Sequence, residues 1–156
     1  MRISFDLDDT LICYDEGIDC DPPLAWWTRV LIRDEPLRRG ARDLTAELHK
    51  RGHTVWVYTS SGRKARWIKW WLRFHGIRVE GIVNGPKHIQ CFGEGSTPSK
   101  RPHAFGIGLH VDNSRGVAME GEQHGFNVCV VEPGANDWVE RVLETVEAAG
   151  SARSIR

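Results

Sequence analysis

Two runs, Val55-Trp56-Val57-Tyr58 and Val128-Cys129-Val130-Val131, are apolar without alternation. A strand with one wet face alternates apolar and polar residues, whereas a continuous run suits a strand covered on both sides, as in a parallel sheet between layers of helices. The wider runs Arg2–Asp8, Thr54–Ser60, Gly81–Asn84, Leu109–Asn113 and Asn127–Glu132 repeat along the chain. Between them lie helical patterns at Pro23–Arg33, Gly40–Arg51, Arg63–His75, Arg115–His124 and Asp137–Ala149. This alternation predicts an α/β fold with a parallel five-stranded sheet in a three-layer sandwich. Asn136 or Asp137 suits the cap of the last helix and Gly150 its stop, which leaves Ser151–Arg156 as a tail expected to be disordered.

At 156 residues the chain is the length of one domain, placed over residues 1–150. Lys and Arg number 21 and Asp and Glu 21, a balance that argues against a polybasic nucleic-acid module and against an acidic disordered chain. No apolar run approaches the ~18 residues of a membrane span, and acidic residues come too early for a signal peptide, so a cytoplasmic protein is expected. Cys13, Cys20, Cys91 and Cys129 form no C-x-x-C pair, which points to free thiols rather than a zinc knuckle or a redox pair.

The chemistry gathers where strands end. Asp6, Asp8 and Asp9 follow the first strand, Thr59-Ser60-Ser61 the second, and Asp112-Asn113 the fourth. In a parallel sheet these ends share one edge, where ligands bind, so Asp6, Asp8, Thr59 and Asp112 are expected to converge. Asp6 and Asp8, two apart, would share a face, with Asp9 turned away as a solvated or salt-bridged residue. Three hard-oxygen acids suit magnesium, and a hydroxyl or amide at a helix start suits a phosphate oxygen. A plain cluster of turn and capping residues is the competing reading of the acids. Two aperiodic stretches, Leu11–Asp21 and Pro86–Pro102, follow strand ends and are candidate active-site loops.

Phe5-Asp6-Leu7-Asp8-Asp9-Thr10, Val57-Tyr58-Thr59-Ser60, Ser99-Lys100-Arg101-Pro102 and Val111-Asp112-Asn113-Ser114 resemble, in order, the four motifs of the haloacid dehalogenase (HAD) superfamily. The resemblance implies a Rossmann-like fold and a magnesium-dependent phosphomonoester hydrolase working through an aspartyl-phosphate. It assigns Asp6 as nucleophile, Asp8 as general acid and base, and Thr59 and Lys100 as stabilisers of the transferring oxygens. Magnesium falls to Asp6, Asp112 and Asp8, the last through its main-chain carbonyl, and substrate contacts to Ser60, Arg63 and Asn113. Lys87 competes with Lys100, whose neighbours are closer to the motif. Asn113 stands where a second acid is common, so a catalytically weak phosphate-sensing or partner-binding protein on the same fold is the alternative.

Too few residues separate the motifs for a large cap domain, so an open site is expected. It suits a large phosphorylated substrate, or a small one enclosed by another subunit. Residues 11–35 supply a flap and, with Trp26-Trp27, a small lid or a contact between subunits of a homo-oligomer. On helix 63–75, Ala65, Ile68, Trp71, Leu72 and His75 form a core stripe. Arg66, Lys69 and Arg73 then lie on a solvated face, or with Trp67 or Trp70 on a surface for nucleic acid or a phosphorylated partner. His88, Cys91 and His103 match no standard metal spacing, and His110 reads as a packed residue.

Overall fold

A computed structural model describes residues 1–31 and 35–154. Five parallel strands form one sheet: β1 (Arg2–Phe5), β2 (Thr54–Tyr58), β3 (Gly81–Val83), β4 (Leu109–Asp112) and β5 (Val128–Val130), in the order β3-β2-β1-β4-β5. Each strand lies within a predicted run, and the last residues of each run pass into loops. The helices are α1 (Trp26–Leu31), α2 (Ala41–Lys50), α3 (Ala65–Phe74), α4 (Gly85–Phe92), α5 (Arg115–His124) and α6 (Trp138–Ser154), with a short 3-10 turn over Pro102–Phe105.

Four boundaries differ from the sequence reading. The helix expected over Pro23–Arg33 is α1, which begins only at Trp26, and residues 32 and 33 lie outside the described residues. Helix α3 begins at Ala65, so Arg63 stands in the loop before it. Part of the expected Pro86–Pro102 loop is α4, capped by the Asn84 side chain, which accepts from Lys87 N at 3.2 Å, with proline in the first turn. Only residues 93–101 connect it to the 3-10 turn. Helix α6 runs through Gly150 to Ser154, because a glycine inside a helix costs only about 1 kcal/mol and does not stop it without a left-handed turn. The tail expected from Ser151 is therefore helical to Ser154, and residues 155 and 156 lie outside the described residues.

The main core sits on one face of the central strands, and a smaller cluster of Tyr58, Val83 and Ile107 lies on the other. Ile3, Phe5, Val55, Val57, Leu109 and Val111 are buried, and each such aliphatic side chain contributes roughly 1.5–3 kcal/mol. Helix α6 packs Trp138, Val142 and Val146, spaced at four residues, against them. Helix α3 adds Ile68, Trp71 and Leu72, while Ala65, expected on that stripe, is exposed. Trp71 is fully buried and its indole nitrogen donates to the Glu35 carbonyl at 2.9 Å.

Strand order places the site. The chain builds β1, β2 and β3 outward on one side, then returns to β4 on the other side of β1. The crevice outside the carboxyl ends of β1 and β4 is thus the switch point of the sheet. Phe5 pairs with Val111, so Asp6 and Asp112 leave the two strands side by side. The Leu11–Asp21 stretch is pinned by isolated bridges from Ile12 to Leu37 and Cys20 to Arg38. No separate cap domain is present among the described residues. No helix among them is long and apolar enough to cross a membrane, and all four cysteines are free thiols.

Candidate active site

Lys100 lies between the acids of β1 and β4. Its Nζ donates to Asp6 Oδ1 at 2.7 Å and to Asp112 Oδ2 at 2.5 Å, with all three side chains largely buried. The lysine is placed by its neighbours. Ser99 donates its amide and hydroxyl to the Glu120 carboxylate of α5, and the Arg101 amide donates to the Tyr58 hydroxyl of β2 at 2.9 Å. The loop is thereby fastened on both sides of Lys100. Lys87, its rival in the sequence, is exposed on α4, with its ammonium 5.7 Å from the Phe105 ring.

One positive charge serves two carboxylates here. Burial pushes the Asp6 carboxyl above its usual range, and Asp112 pushes the same way against the pull of Lys100. Burial also acts to raise Asp112, but the hydrogen bond from His110 and the charge of Lys100 outweigh it and hold that group well below the carboxylate range. Lys100 is desolvated too, yet its two acid partners keep it above the ordinary lysine value.

His110 had the appearance of a packed residue. It is fully buried, and its Nε2 lies 3.0 Å from Asp112 Oδ2 while its Nδ1 lies 2.8 Å from Ser4 Oγ. Burial, aided by Lys100, lowers its pKa, so the ring is neutral and, in the tautomer this network requires, Nε2–H donates to Asp112. The signal available in the sequence is its spacing: two residues before Asp112 on one strand, it shares that residue's face.

The remaining motif residues divide into two groups. Thr59 is buried at the end of β2, and its Oγ1 accepts from Ser61 N at 3.1 Å. Asp6, Thr59, Ser60, Lys100, Asp112 and Asn113 line an open cavity of about 340 Å³ together with Asp8. A smaller pocket of about 190 Å³, lined in part by Tyr58, His88 and Ser96, adjoins it through Thr59 and Ser60. Thr10 is buried and accepts from Asn113 N at 3.1 Å, which ties the first motif to the fourth. Arg63, expected to touch substrate, instead pairs with Asp8, Nη1 to Oδ1 at 2.9 Å, and does not line the cavity. Asp9 has φ 54° and accepts from Tyr14 N at 3.0 Å and Asp15 N at 3.2 Å, so this half-buried carboxylate at the cavity rim also caps the flap turn.

The side chains of the three acids expected on a metal line one cavity without meeting at one point, and the ligand expected of Asp8 is its main-chain carbonyl. Asp6 and Asp112 meet on Lys100, while the Asp8 carboxylate turns to Arg63; among the described residues no group of three His, Cys, Asp or Glu side chains is placed to hold a metal. The donor set still fits magnesium, which keeps several waters and takes one or two carboxylates beside substrate oxygens. It also fits on charge, since Lys100 offsets only one of its two acids. His88, Cys91 and His103 do not converge: His88 bonds Tyr58 and Ser96, Cys91 is exposed and His103 stacks on Phe126. A larger cavity of about 860 Å³ opens between α5 and α6, at the opposite end of the sheet, with Glu122 its one acidic side chain.

Gly85 sets the second motif's loop by close approach. A Cβ there would lie 2.5 Å from the Ser60 carbonyl oxygen and 3.1 Å from that of Ser61. Gly85→Ala is expected to displace the Thr59–Ser61 turn and lower kcat/KM for a phosphate ester by roughly 10–100-fold, as misplacing a positioning group does. Stability should fall by only about 1–3 kcal/mol. Steady-state kinetics beside a thermal melt check both.

No protein-family model and no curated protein match the sequence. Solved structures do match the fold. The HAD domain of effector protein Lem4 from Legionella pneumophila, an inactive mutant, superposes with a TM-score of 0.53 at 13% identity, covering 97% of each chain. A HAD-superfamily hydrolase from Ehrlichia chaffeensis gives 0.48 at 11% identity over 84% of this chain and 86% of that one. D,D-heptose 1.7-bisphosphate phosphatase from B. bronchiseptica, complexed with magnesium and phosphate, gives 0.49 at 14% identity over 92% and 98%. The chain thus has a HAD-like fold, as its motifs implied, without a large cap.

Proposed function

We propose that this protein is a magnesium-dependent phosphomonoester hydrolase whose nucleophile is Asp6. The observation that carries the reading is the Lys100 ammonium bonded to both Asp6 and Asp112 at the switch point of the sheet. With magnesium offsetting the second acid, it is an arrangement of charge that would admit an anionic phosphoryl group between buried acids.

The Asp6 carboxylate attacks phosphorus, the ester P–O bond breaks, and Asp8 gives its proton to the departing oxygen. Asp8, now a carboxylate, takes a proton from the water that attacks the aspartyl-phosphate. That bond breaks, inorganic phosphate leaves and Asp6 is regenerated. Thr59, whose hydroxyl hydrogen is left to donate, and Lys100 stabilise charge on the transferring oxygens, where one well-placed donor contributes roughly 3–4 kcal/mol. His110 and Ser4 hold the Asp112 carboxylate in place. When bound by Asp6, Asp112 and the Asp8 carbonyl, magnesium supplies the positive charge that offsets repulsion between the nucleophile and the phosphoryl group.

The open cavity and its neighbouring pocket leave the substrate's alcohol partly in solvent, which suits a large phosphorylated partner or a small one covered by a second subunit. Hydrolysis of p-nitrophenyl phosphate by the purified protein, with magnesium and with chelator, tests the reading. Turnover should fall at least tenfold in chelator. Magnesium binding by calorimetry without turnover of any phosphate ester would favour the phosphate-sensing alternative that Asn113 raises.

A further inference from the structure

Asp8, the proton donor of the proposed reaction, does not stand alone at the rim of the cavity. Its carboxylate meets the Arg63 guanidinium, Nη1 to Oδ1 at 2.9 Å and to Oδ2 at 3.3 Å. The other arm of the same guanidinium, Nη2, pairs with Glu35 at 3.1 Å and bonds the Tyr14 hydroxyl of the flap. Glu35 is 6% exposed and lies in the segment leading into α2, far in sequence from every motif. Arg63 is fixed further by its backbone: its amide donates to Ser61 Oγ at 3.2 Å and its carbonyl accepts from Asn84 Nδ2 at 2.8 Å. Its guanidinium lies 5.5 Å from the Trp67 ring centre and 6.0 Å from that of Tyr14.

We infer that Glu35 and Arg63 form a positioning relay that aims the Asp8 carboxyl at the leaving-group oxygen, with Tyr14 coupling the relay to the flap. A guanidinium facing one carboxylate makes a two-armed fork, the strongest and most rigid geometry for such a pair. Here Glu35 and Tyr14 engage one arm, and Asp8 meets a single nitrogen. Asp8 is held in direction without being clamped, so it can leave the pair and turn to the leaving-group oxygen. Without Glu35 the fork is released, and Arg63 is able to turn both arms onto Asp8 and hold it off the substrate. Neither residue lines the cavity, so both act through Asp8 and neither touches substrate.

The inference rests on the proposed phosphatase reading, and its test exploits chemistry that separates the two. An alkyl phosphate releases a strongly basic alkoxide and needs the proton from Asp8, whereas p-nitrophenol leaves readily without one. The ratio kcat/KM reports only steps through the first P–O cleavage, so the ratio of alkyl to aryl substrate reads the acid role of Asp8 and not the later attack of water. Glu35→Gln, which preserves volume in a buried place, is expected to lower kcat/KM for glycerol phosphate by roughly 10–100-fold, part of the 10²–10⁴ that a general acid contributes. For p-nitrophenyl phosphate the loss should stay within about threefold. Tyr14→Phe, on an exposed flap where folding is not at risk, should shift the same ratio in the same direction by a smaller factor.

Equal losses on both substrates in Glu35→Gln, or an unchanged ratio in Tyr14→Phe with a normal melt, would overturn the relay while leaving the phosphatase standing. Absence of turnover of either ester by the wild-type protein with magnesium would remove the phosphatase reading and the relay with it.

Discussion

Asp6→Asn is expected to abolish phosphate-ester turnover, by roughly 10⁴-fold or more, and to make the protein more stable, not less. The first effect follows because an amide cannot form the acyl-phosphate, so the two-step path closes. The second follows from the charge of the site. Asp6 is buried beside Asp112, and burial pushes its carboxyl above the usual range despite Lys100. A carboxyl whose folded value is raised gives stability that is lost as pH rises through that value, so at neutral pH the ionised Asp6 weighs against folding. Asparagine keeps the shape and removes that penalty, and Lys100 then serves Asp112 alone. A thermal melt at pH 7 in chelator should show a higher midpoint for the variant, with no activity in the parallel assay. A variant less stable than wild type would mean that the Lys100–Asp6 bond outweighs burial. Active sites that trade stability for function in this manner are common.

The sheet was legible because its signal is redundant. Each strand is an apolar run too short for a helix, and each long helix between them repeats its apolar residues on one stripe, so a wrong boundary costs a residue or two and leaves the topology intact. Asp6, Thr59 and Asp112 were legible for a different reason: polar residues at the ends of buried strands have nowhere to go except the carboxyl edge, whereas Lys100, in a loop before β4, was legible through the likeness of its neighbours to the third motif. Boundaries set by side-chain caps were less visible. Asn84 followed by a proline marks the start of α4, yet the glycine, serine and lysine content of the whole stretch resembles a loop. Gly150 looked like a stop, but nothing at that point of α6 turns the chain left-handed.

The relay and the Ser4–His110 contact were hidden because both join residues far apart in sequence. Glu35 meets Arg63 across 28 residues and Asp8 meets Arg63 across 55, and no periodicity of one element encodes such a meeting. Arg63 itself was placed near the site by its position after the second motif, but its direction was not readable. Behind Asp8 it meets two acids, whereas facing the cavity it would meet substrate. Asp9 shows the same limit on a smaller scale. Alternation along an extended strand would turn it away from Asp6 and Asp8, but the chain there has left the strand for a left-handed turn closed by amides of the flap, and Asp9 lines the same cavity as they do.

Lys100→Met should be the most costly single change in the site, and its signature is a gain of stability with falling pH that exceeds the wild type's. Removing one partner from a buried ion pair leaves the other charge without compensation, which costs about 3–5 kcal/mol. In this protein two acids are left, facing each other. In the wild type Lys100 is raised, so its contribution is complete below the ordinary lysine range and is lost only as pH rises through its folded value. Asp112 is lowered, so its contribution is present above the ordinary carboxylate range and is lost as pH falls through its depressed value. Asp6 acts in the opposite sense, since it is raised and its contribution is lost as pH rises through its folded value. Between these limits the wild-type stability should change less with pH than that of the variant. Without the ammonium, the buried acids repel, and taking up a proton relieves them. The variant should therefore gain stability as pH falls from 7 toward 5, and the gap to wild type should narrow. Urea unfolding in chelator at pH 5, 6 and 7 reads this directly. A gap that stays constant would mean that water or rearrangement solvates the acids once the lysine is gone. Turnover should fall by at least roughly 10²-fold in the same variant, since a donor to the transferring oxygens is lost as well. Its partial return at low pH is not expected, because the protonated carboxyl that restores the fold is no longer a nucleophile.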